Sequence, residues 1–549
     1  MAPEPVRIAV IGSGLAGLVT AYSLQTLQAT HPDGTPLHLH VELFEKSHAL
    51  GMDSTSISVN FADDTTPFRI DSPMRSINGV FQLYKHLDVA LRRADFSYSF
   101  ARLSRNDDTP STVADAPPPY ATKDIKDEKS THRNVSPPIE SKRKERPRHR
   151  TQFLYEGSNG LKFPPLALPS YIARGPITTR IAYLIDLVGF ALSYLYLLVL
   201  AFAYSRLGLT SRMSPRSRFQ NWLPMDRLAA ESVDEFCERY RIGDRMKNEV
   251  LVPLYAAVTT VGRQQAQNMP VAECLDYIVS TFGSSHYVAE AGVQQVVRRL
   301  VAPIPLDQVH LSSTITSITT SPTTSLHQFT LLDGSQPRPF HHVIFATQAN
   351  QAAALLPTSP ALAPILSALR SIGYVRTLVM NHTDASILPE LEQDHRDLNL
   401  VSYEAPRSAF SSKADLNDIG TSNRLGRGSV QATHIVSRTH PRLSDSSLGR
   451  VLYQTTNPIV EIDENKILSK AWFERAVVTR ESKRVLPRFL LDPLGKEGES
   501  YQGRENLWFV GSWCAEGIPL LEGCLVSSEM VVKELVRGLG VREEVKLKW

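Results

Sequence analysis

The 549-residue chain has only four cysteines, Cys237, Cys274, Cys514 and Cys524, and no two of them form a CxxC pair. That excludes a disulfide-built scaffold, a zinc ribbon and a thioredoxin-type redox motif, and free thiols fit a reducing compartment. Net charge is nearly absent too, at +3. Most of it sits in one tract: Ser141 to Arg150 holds six Lys/Arg against one Glu, leaving the rest of the chain at −2. The general basic footprint of a nucleic-acid binder is therefore missing. The tract itself reads either as a solvated run or as a contact for an anionic membrane. No basic segment, apolar stretch and small-residue cleavage site open the chain, so no secretory signal is expected. Internal repeats are lacking as well. With 42% hydrophobic and 21% charged residues, the chain has material for a large core, which excludes a wholly disordered, collagenous or coiled-coil protein. Its length suits about three or four domains, or fewer, larger, interleaved ones.

Val6 to Ile11 is short, apolar and β-branched, as a fully buried parallel strand would be. A helix is expected over Leu15–Leu27 and a second strand over Leu39–Phe44. Residues 105–150 contain seven prolines and no Leu, Phe, Trp or Met, so they cannot bury enough surface to offset their ordering entropy and are expected to be disordered. The aromatic segments on either side, Phe96–Phe100 and Phe153–Gly157, read as paired strands, which makes the tract an insertion at a hairpin tip. Ser408 to Gly428 reads as another loop. Ser232-Val233-Asp234-Glu235 is a capping box. Val293, Val296, Val297 and Leu300 carry helical spacing after Gly292. Strands are expected at Val309–Ile318, Val343–Ala346 and Asn506–Val510, and a closing helix at Val526–Arg537.

Gly12-Ser13-Gly14-Leu15-Ala16-Gly17 is a GxGxxG placed between a buried strand and a helix. In that setting Gly12 permits the tight turn, Gly14 lets backbone approach a pyrophosphate, and Gly17 lets helix and strand pack closely. The helix N-terminus offers unpaired N–H groups to phosphate. Glu45 ends the second strand, where a carboxylate can accept from ribose hydroxyls; the polar His31–Pro36 insertion accounts for the long spacing from Gly17. An acid here disfavours a 2′-phosphate, so NADP is set aside and NAD or FAD remains.

The ordered set of motifs resembles the flavin amine oxidase and phytoene-desaturase-like superfamily, in its fungal and bacterial amine-oxidase-domain branch. Val41-Glu42-Leu43-Phe44-Glu45-Lys46 with Leu50-Gly51 is similar to that family's second strand and following turn, although the family's second glycine is Met52 here. Arg69 to Arg75 resembles a segment running along the flavin. Ser285-His286-Tyr287-Val288 with Gly292 resembles the return into the FAD domain. Ile315 stands at the adenine-side position, Ala346 in the strand end Val343–Thr347, and Leu452–Pro458 in a substrate-region segment. Asn506–Trp513 with Glu516-Gly517 and Glu522-Gly523 resembles the C-terminal flavin motif, with Gly511 and Ser512 at its turn. The resemblance implies an α/β fold, a Rossmann-type FAD-binding domain (1–95, 285–360, 500–549) interleaved with an α+β substrate domain (96–284, 361–499). It implies FAD as cofactor, with Gly12–Gly17, Glu45, Lys46, Gly51, Arg75, Ile315, Ala346, Gly511, Ser512, Glu522 and Gly523 around it. The implied activity is FAD-dependent oxidation or desaturation of a lipophilic small molecule; the alternatives are a double-bond isomerase of a fatty acid or polyene and a non-catalytic FAD-binding protein at a membrane. No second GxGxxG in strand–helix context offers a site for NADPH.

His286 and Tyr287 are the candidate catalytic pair; the competing reading is a hydrogen-bonded core histidine. Arg75 could balance flavin charge, anchor a substrate carboxylate or form an ion pair between domains. Glu516 could approach the ring or cap the last helix. Cys514 reads as a small buried thiol rather than a flavin linkage. The lysine of classical amine oxidases has no assignable match, so an amine substrate is not implied. No metal is expected. Leu187 to Tyr204 runs 18 residues without a charge, long enough to cross a bilayer. A single crossing would separate Gly12–Gly17 from Gly511–Gly523, so the segment is expected to dip into one leaflet, cover a lipophilic tunnel or lie in the core. Arg180, Arg206 and Arg212 flank it.

Overall fold

The computed structural model describes residues 4–51, 57–59, 68–70, 74–75, 78–104, 148–161, 166–210, 228, 230–403, 430–439, 451–491 and 500–541. A five-stranded parallel sheet runs in the order Val309–His310, Leu39–Phe44, Val6–Ile11, His342–Phe345, Leu507–Phe509. Side chains alternate across it, because successive residues of a strand point to opposite faces. Ile8, Val10, Val41, Leu43, Ile344 and Trp508 join one core, under the helices Leu15–Thr26, Val293–Val301 and Leu521–Gly538. Ala9, Ile11, Phe44, Val343, Phe345 and Phe509 join the other, with Ile318, Phe329 and the helices Ala349–Leu355 and Ala363–Arg370. Both faces are covered, which is what lets the strands be largely apolar, with the buried Glu42 paired to Arg7 and His310.

A second sheet has eight strands, ordered Ile467–Val477, Gly373–His382, Tyr453–Thr456, Val430–Ile435, Leu398–Ser402, Tyr98–Ser104, Arg148–Tyr155, Leu166–Ala167. Its pairs are antiparallel except Leu398–Ser402 on Tyr98–Ser104. Helices from residues 233 to 281 cover it. The capping box forms as read: Glu235 N donates to Ser232 Oγ at 3.1 Å and Ser232 N to Glu235 Oε2 at 2.7 Å. A small three-stranded sheet joins Met74–Arg75, His286–Ala289 and Leu91–Arg93.

Three expectations need correction. Val309–Ile318 is two elements, Val309–His310 and Ile315–Thr320, because the chain turns through Ser312 at φ 53° while Ser312 N and Ser313 N donate to Ser47 O and Glu45 O. The closing helix starts at Leu521, five residues early. Of the tract expected to be disordered, 148–150 are strand, with Leu103 opposite His149; residues 105–147 and the loop 408–428 lie outside the described residues.

The apolar run lies within one 30-residue helix, Ile177–Arg206, about 45 Å long. It is not a core helix. One side packs on the protein along its length: Arg245 sits over Tyr183, Phe190 meets Phe153 at 4.6 Å, Tyr194 donates to Gly160 O at 3.3 Å, and Tyr204 meets Phe236 and Tyr240. The opposite side faces outward, and only 17% of the apolar window is buried.

Candidate active site

The glycine turn is built from three distant segments. Gly12 adopts φ 102°, and its N–H donates to Phe44 O at 2.8 Å. A Cβ on Gly12 would stand 2.9 Å from Ala346 O, and one on Gly17 would stand 1.9 Å from Gly12 O. Ala346 thus sits directly beneath the turn, its N–H bonded to Ile11 O. From the chain's other end, Ser528 Oγ donates to Ala16 O at 3.0 Å. Gly14 differs from its neighbours. It is the N-cap of Leu15–Thr26, makes no side-chain cap bond, and a Cβ on it would meet nothing within 4 Å. Gly51 likewise fronts open space, and its N–H lies 3.4 Å from Ser13 Oγ. The turn therefore leaves a cradle of backbone N–H groups that a dinucleotide pyrophosphate fits.

Glu45 is engaged differently from the expectation. Its carboxylate accepts from Ser13 N and Oγ at 2.9 and 2.6 Å and from Ser47 N at 2.9 Å, so it braces the glycine turn. Three bonds leave lone-pair capacity for a ribose hydroxyl. Lys46 is exposed beside it. Ile315 belongs to the antiparallel pair with His327–Leu331 and is buried against Phe329 and Phe340, while Ser312 and Ser313 are the residues that reach the Glu45 backbone.

The C-terminal motif closes on itself through Ser527. Its hydroxyl accepts from Gly511 N at 3.0 Å and donates to Gly523 O at 2.8 Å. Gly511 is at φ 146°, and a Cβ on Gly523 would stand 3.1 Å from the carbonyl of Ser512, which opens the short turn Ser512–Cys514. Burial pushes the Cys514 thiol well up, as in an inert core cysteine. Glu522 does not face this turn. It caps the helix Asn78–His86, accepting from Gly79 N at 3.0 Å and Val80 N at 3.1 Å.

His286 and Tyr287 lie on opposite faces of their strand. Neighbours on a strand point to opposite faces. His286 is buried with its ring 4.1 Å from Phe96 and its backbone N–H on Asp95 Oδ1 at 2.8 Å, whereas Tyr287 lies against Phe81 at 5.2 Å. Arg75 is opposite His286 in the small sheet. Burial works against the Asp95 carboxylate, but the His286 N–H and Arg93 outweigh it and hold its pKa below the usual value.

One cluster had no sequence signal, because its members come from three segments. Glu273, on the helix Val271–Thr281, is almost fully buried and ion-paired with Lys483. Burial raises its pKa, with Lys483 opposing, and its Oε2 has no hydrogen-bond partner among the described residues. One turn on, burial and then Glu516 raise Asp276, whose Oδ2 lies 3.9 Å from where a Gly517 Cβ would stand. Two carboxyls whose pKa burial raises thus share one helix, with Asp276 adjoining the C-terminal motif. Among the described residues, no group of His, Cys, Asp and Glu is arranged to hold a metal ion.

Comparison with known proteins accords with this geometry. Residues 10–88 match the NAD(P)-binding Rossmann-like domain, and residues 191–536 match the flavin containing amine oxidoreductases. No curated protein matches the sequence. Among solved structures, the fold is similar to a CLA-producing fatty acid isomerase from P. acnes, at TM-score 0.51 and 12% identity over 98% of this chain and 100% of that one. It is similar also to the cyclohexylamine oxidase of Brevibacterium oxydans IH-35A, at TM-score 0.51 and 10% identity over 98% and 100% of the two chains. At such identities the likeness is one of fold.

Proposed function

The chain belongs to the flavin containing amine oxidoreductases, an FAD-dependent oxidoreductase family, and on that footing we propose that it oxidises or desaturates a lipophilic small molecule. The observation that carries this reading is the convergence of Gly12–Gly17, Ala346 and the Gly511–Ser528 segment around one open backbone cradle. FAD supplies a hydride acceptor at its flavin ring. The chain's own residues do the rest. The N–H groups at the start of Leu15–Thr26 hold the pyrophosphate, and Glu45 holds a ribose hydroxyl with its remaining lone pair. Glu273 and Asp276 stand one turn apart on the same helix, Asp276 beside Gly517, and burial raises the pKa of both, as suits an acceptor for the proton that a substrate releases with its hydride.

The test starts from purified protein and its bound-flavin spectrum. Lipophilic alkenes, alcohols and amines are added without oxygen. Bleaching by one class, followed by peroxide formation or reduction of a quinone acceptor, supports the reading. Conversion of a substrate with no net consumption of acceptor would assign a double-bond shift instead. Flavin that no compound bleaches or converts would leave a binding protein.

A further inference from the structure

The helix Ile177–Arg206 carries two unlike faces. Its inner face rests on the protein from Tyr183 to Tyr204, through buried Leu197, Leu198 and Ala201 and through aromatic contacts of Tyr183, Phe190 and Tyr204. Its outer face is an aliphatic stripe in which Ile181, Leu184, Val188, Leu192, Leu195 and Val199 recur at steps of three and four, extended by Ile177, which is 71% exposed. With Ile185 and Tyr196 at its edge, the stripe leaves on the order of 900 Å² of apolar surface, beyond the few hundred Å² usual for one patch on a soluble monomer. The acid within the helix, Asp186, projects from the other face and lies 3.4 Å from Arg245. The ends of the stripe are basic: Arg174 and Arg180 are exposed at one end and Arg206 at the other.

We propose that this outer face docks on one leaflet of a lipid bilayer that carries anionic headgroups, with the helix lying in the plane of the interface. The pattern fits an interfacial helix, whose apolar side enters the acyl boundary while long basic side chains reach back to the headgroups. A crossing is excluded by the inner face, because Tyr183, Phe190, Tyr194 and Tyr204 all hold to the same folded body over nearly the full length of the helix. A second copy of the chain fits worse. Antiparallel two-fold pairing would set Arg206 against Arg174 and Arg180, and parallel pairing would set each arginine against its equivalent, so like charges meet in both cases. The inference does not depend on the flavin chemistry.

The experiment uses full-length holoprotein and sedimentation with vesicles, either phosphatidylcholine alone or with a quarter phosphatidylserine. Wild type is expected to pellet with the mixed vesicles and at least tenfold less with the neutral ones. Val188→Asp with Leu192→Asp should lower binding at least tenfold while leaving flavin content and melting temperature unchanged, since both positions face outward. Arg174→Gln with Arg180→Gln and Arg206→Gln should remove the preference for phosphatidylserine. The proposal is overturned if wild type stays in the supernatant, or if the aspartate variant binds as well as wild type. It is overturned equally if wild type is a dimer that the aspartate variant makes monomeric.

Discussion

Two glycines five residues or fewer from the same turn should fail in opposite ways, and the difference tests the cofactor assignment. At Gly14 the backbone is at φ −62°, ψ 176°, open to any L-residue, and a Cβ would meet nothing within 4 Å. Gly14→Val therefore strains nothing in the protein and loses only some N-cap preference, about 1 kcal/mol. In a chain of this size that lowers the melting temperature of the flavin-free protein by no more than about 2 °C. The branched side chain would, however, occupy the place of the pyrophosphate, so flavin content should fall to near zero. At Gly17 a Cβ would stand 1.9 Å from Gly12 O, a backbone atom that cannot rotate away. Gly17→Ala must push helix from strand, at a cost of about 3 kcal/mol or more. The assay is flavin per chain by absorbance together with thermal melts of stripped protein, with and without added FAD. In wild type, FAD at a hundred times its Kd should add about 2.7 kcal/mol to stability. In Gly14→Val that increment should vanish while the stripped protein melts normally. Full flavin content in Gly14→Val, or equal stripped-protein stability for the two variants, would refute the reasoning.

The buried pair gives a pH-dependent outcome. The Glu273 carboxyl has a raised pKa in the folded state, so its contribution to stability is greatest below the ordinary carboxylate range and declines as pH rises through the raised value. Lys483→Gln removes the charge that opposes this rise and should cost about 3–5 kcal/mol at pH 8.5 and clearly less at pH 5.5; a gap that does not change with pH would show that Glu273 is not the responsible group. Ser527→Ala strands the buried Gly511 N–H and should cost about 1–3 kcal/mol, with weaker flavin retention seen on dilution. Replacing 105–147 by a short Gly/Ser turn joins Ser104 to Arg148, which already face each other across the hairpin, so flavin content and melting temperature should stay at wild-type values; joint loss of flavin and solubility would assign the excised segment a structural role.

The parts of the fold that were legible are those where local pattern and global packing agree. Val6–Ile11 reads as a buried parallel strand because every residue but Arg7 is apolar, and in the structure alternate residues feed two different cores. The three glycines are legible because each answers a steric demand within the same turn. The break at Ser312 was harder to see, since a positive φ at serine has no glycine or asparagine to announce it; the polar run Ser312-Ser313-Thr314 was the available sign. Glu522 was unreadable in a stronger sense. Its role is set by Gly79, 443 positions away, and nothing in the local motif separates a helix-capping carboxylate from one facing a cofactor. The separation of His286 from Tyr287 was available all along, because a strand cannot present neighbours on one face. Sidedness of the long helix was only partly written: its apolar residues go all the way round, and Leu197, Leu198 and Ala201 on the inner side are aliphatic like Val188 and Leu192 on the outer, so only aromatics such as Phe190, Tyr194 and Tyr204 hint at the inner face.

The order of these segments along the chain constrains what the long helix can do. The cradle at Gly14 exists only when Gly12 rests on Ala346 and Ala16 accepts from Ser528, so residues near 12, 346 and 528 must lie in one folded body. The eight-stranded sheet imposes the same condition on the other side of the helix, since Tyr98–Ser104, which precedes it, pairs with Leu398–Ser402, which follows it. A helix at 177–206 is thus bracketed twice, by the cofactor cradle and by a continuous sheet, and both its ends return to the same side of any interface it meets. Its length would permit a crossing, but topology removes that option and leaves an aliphatic face whose exposure must be met along the surface of the protein rather than through a bilayer.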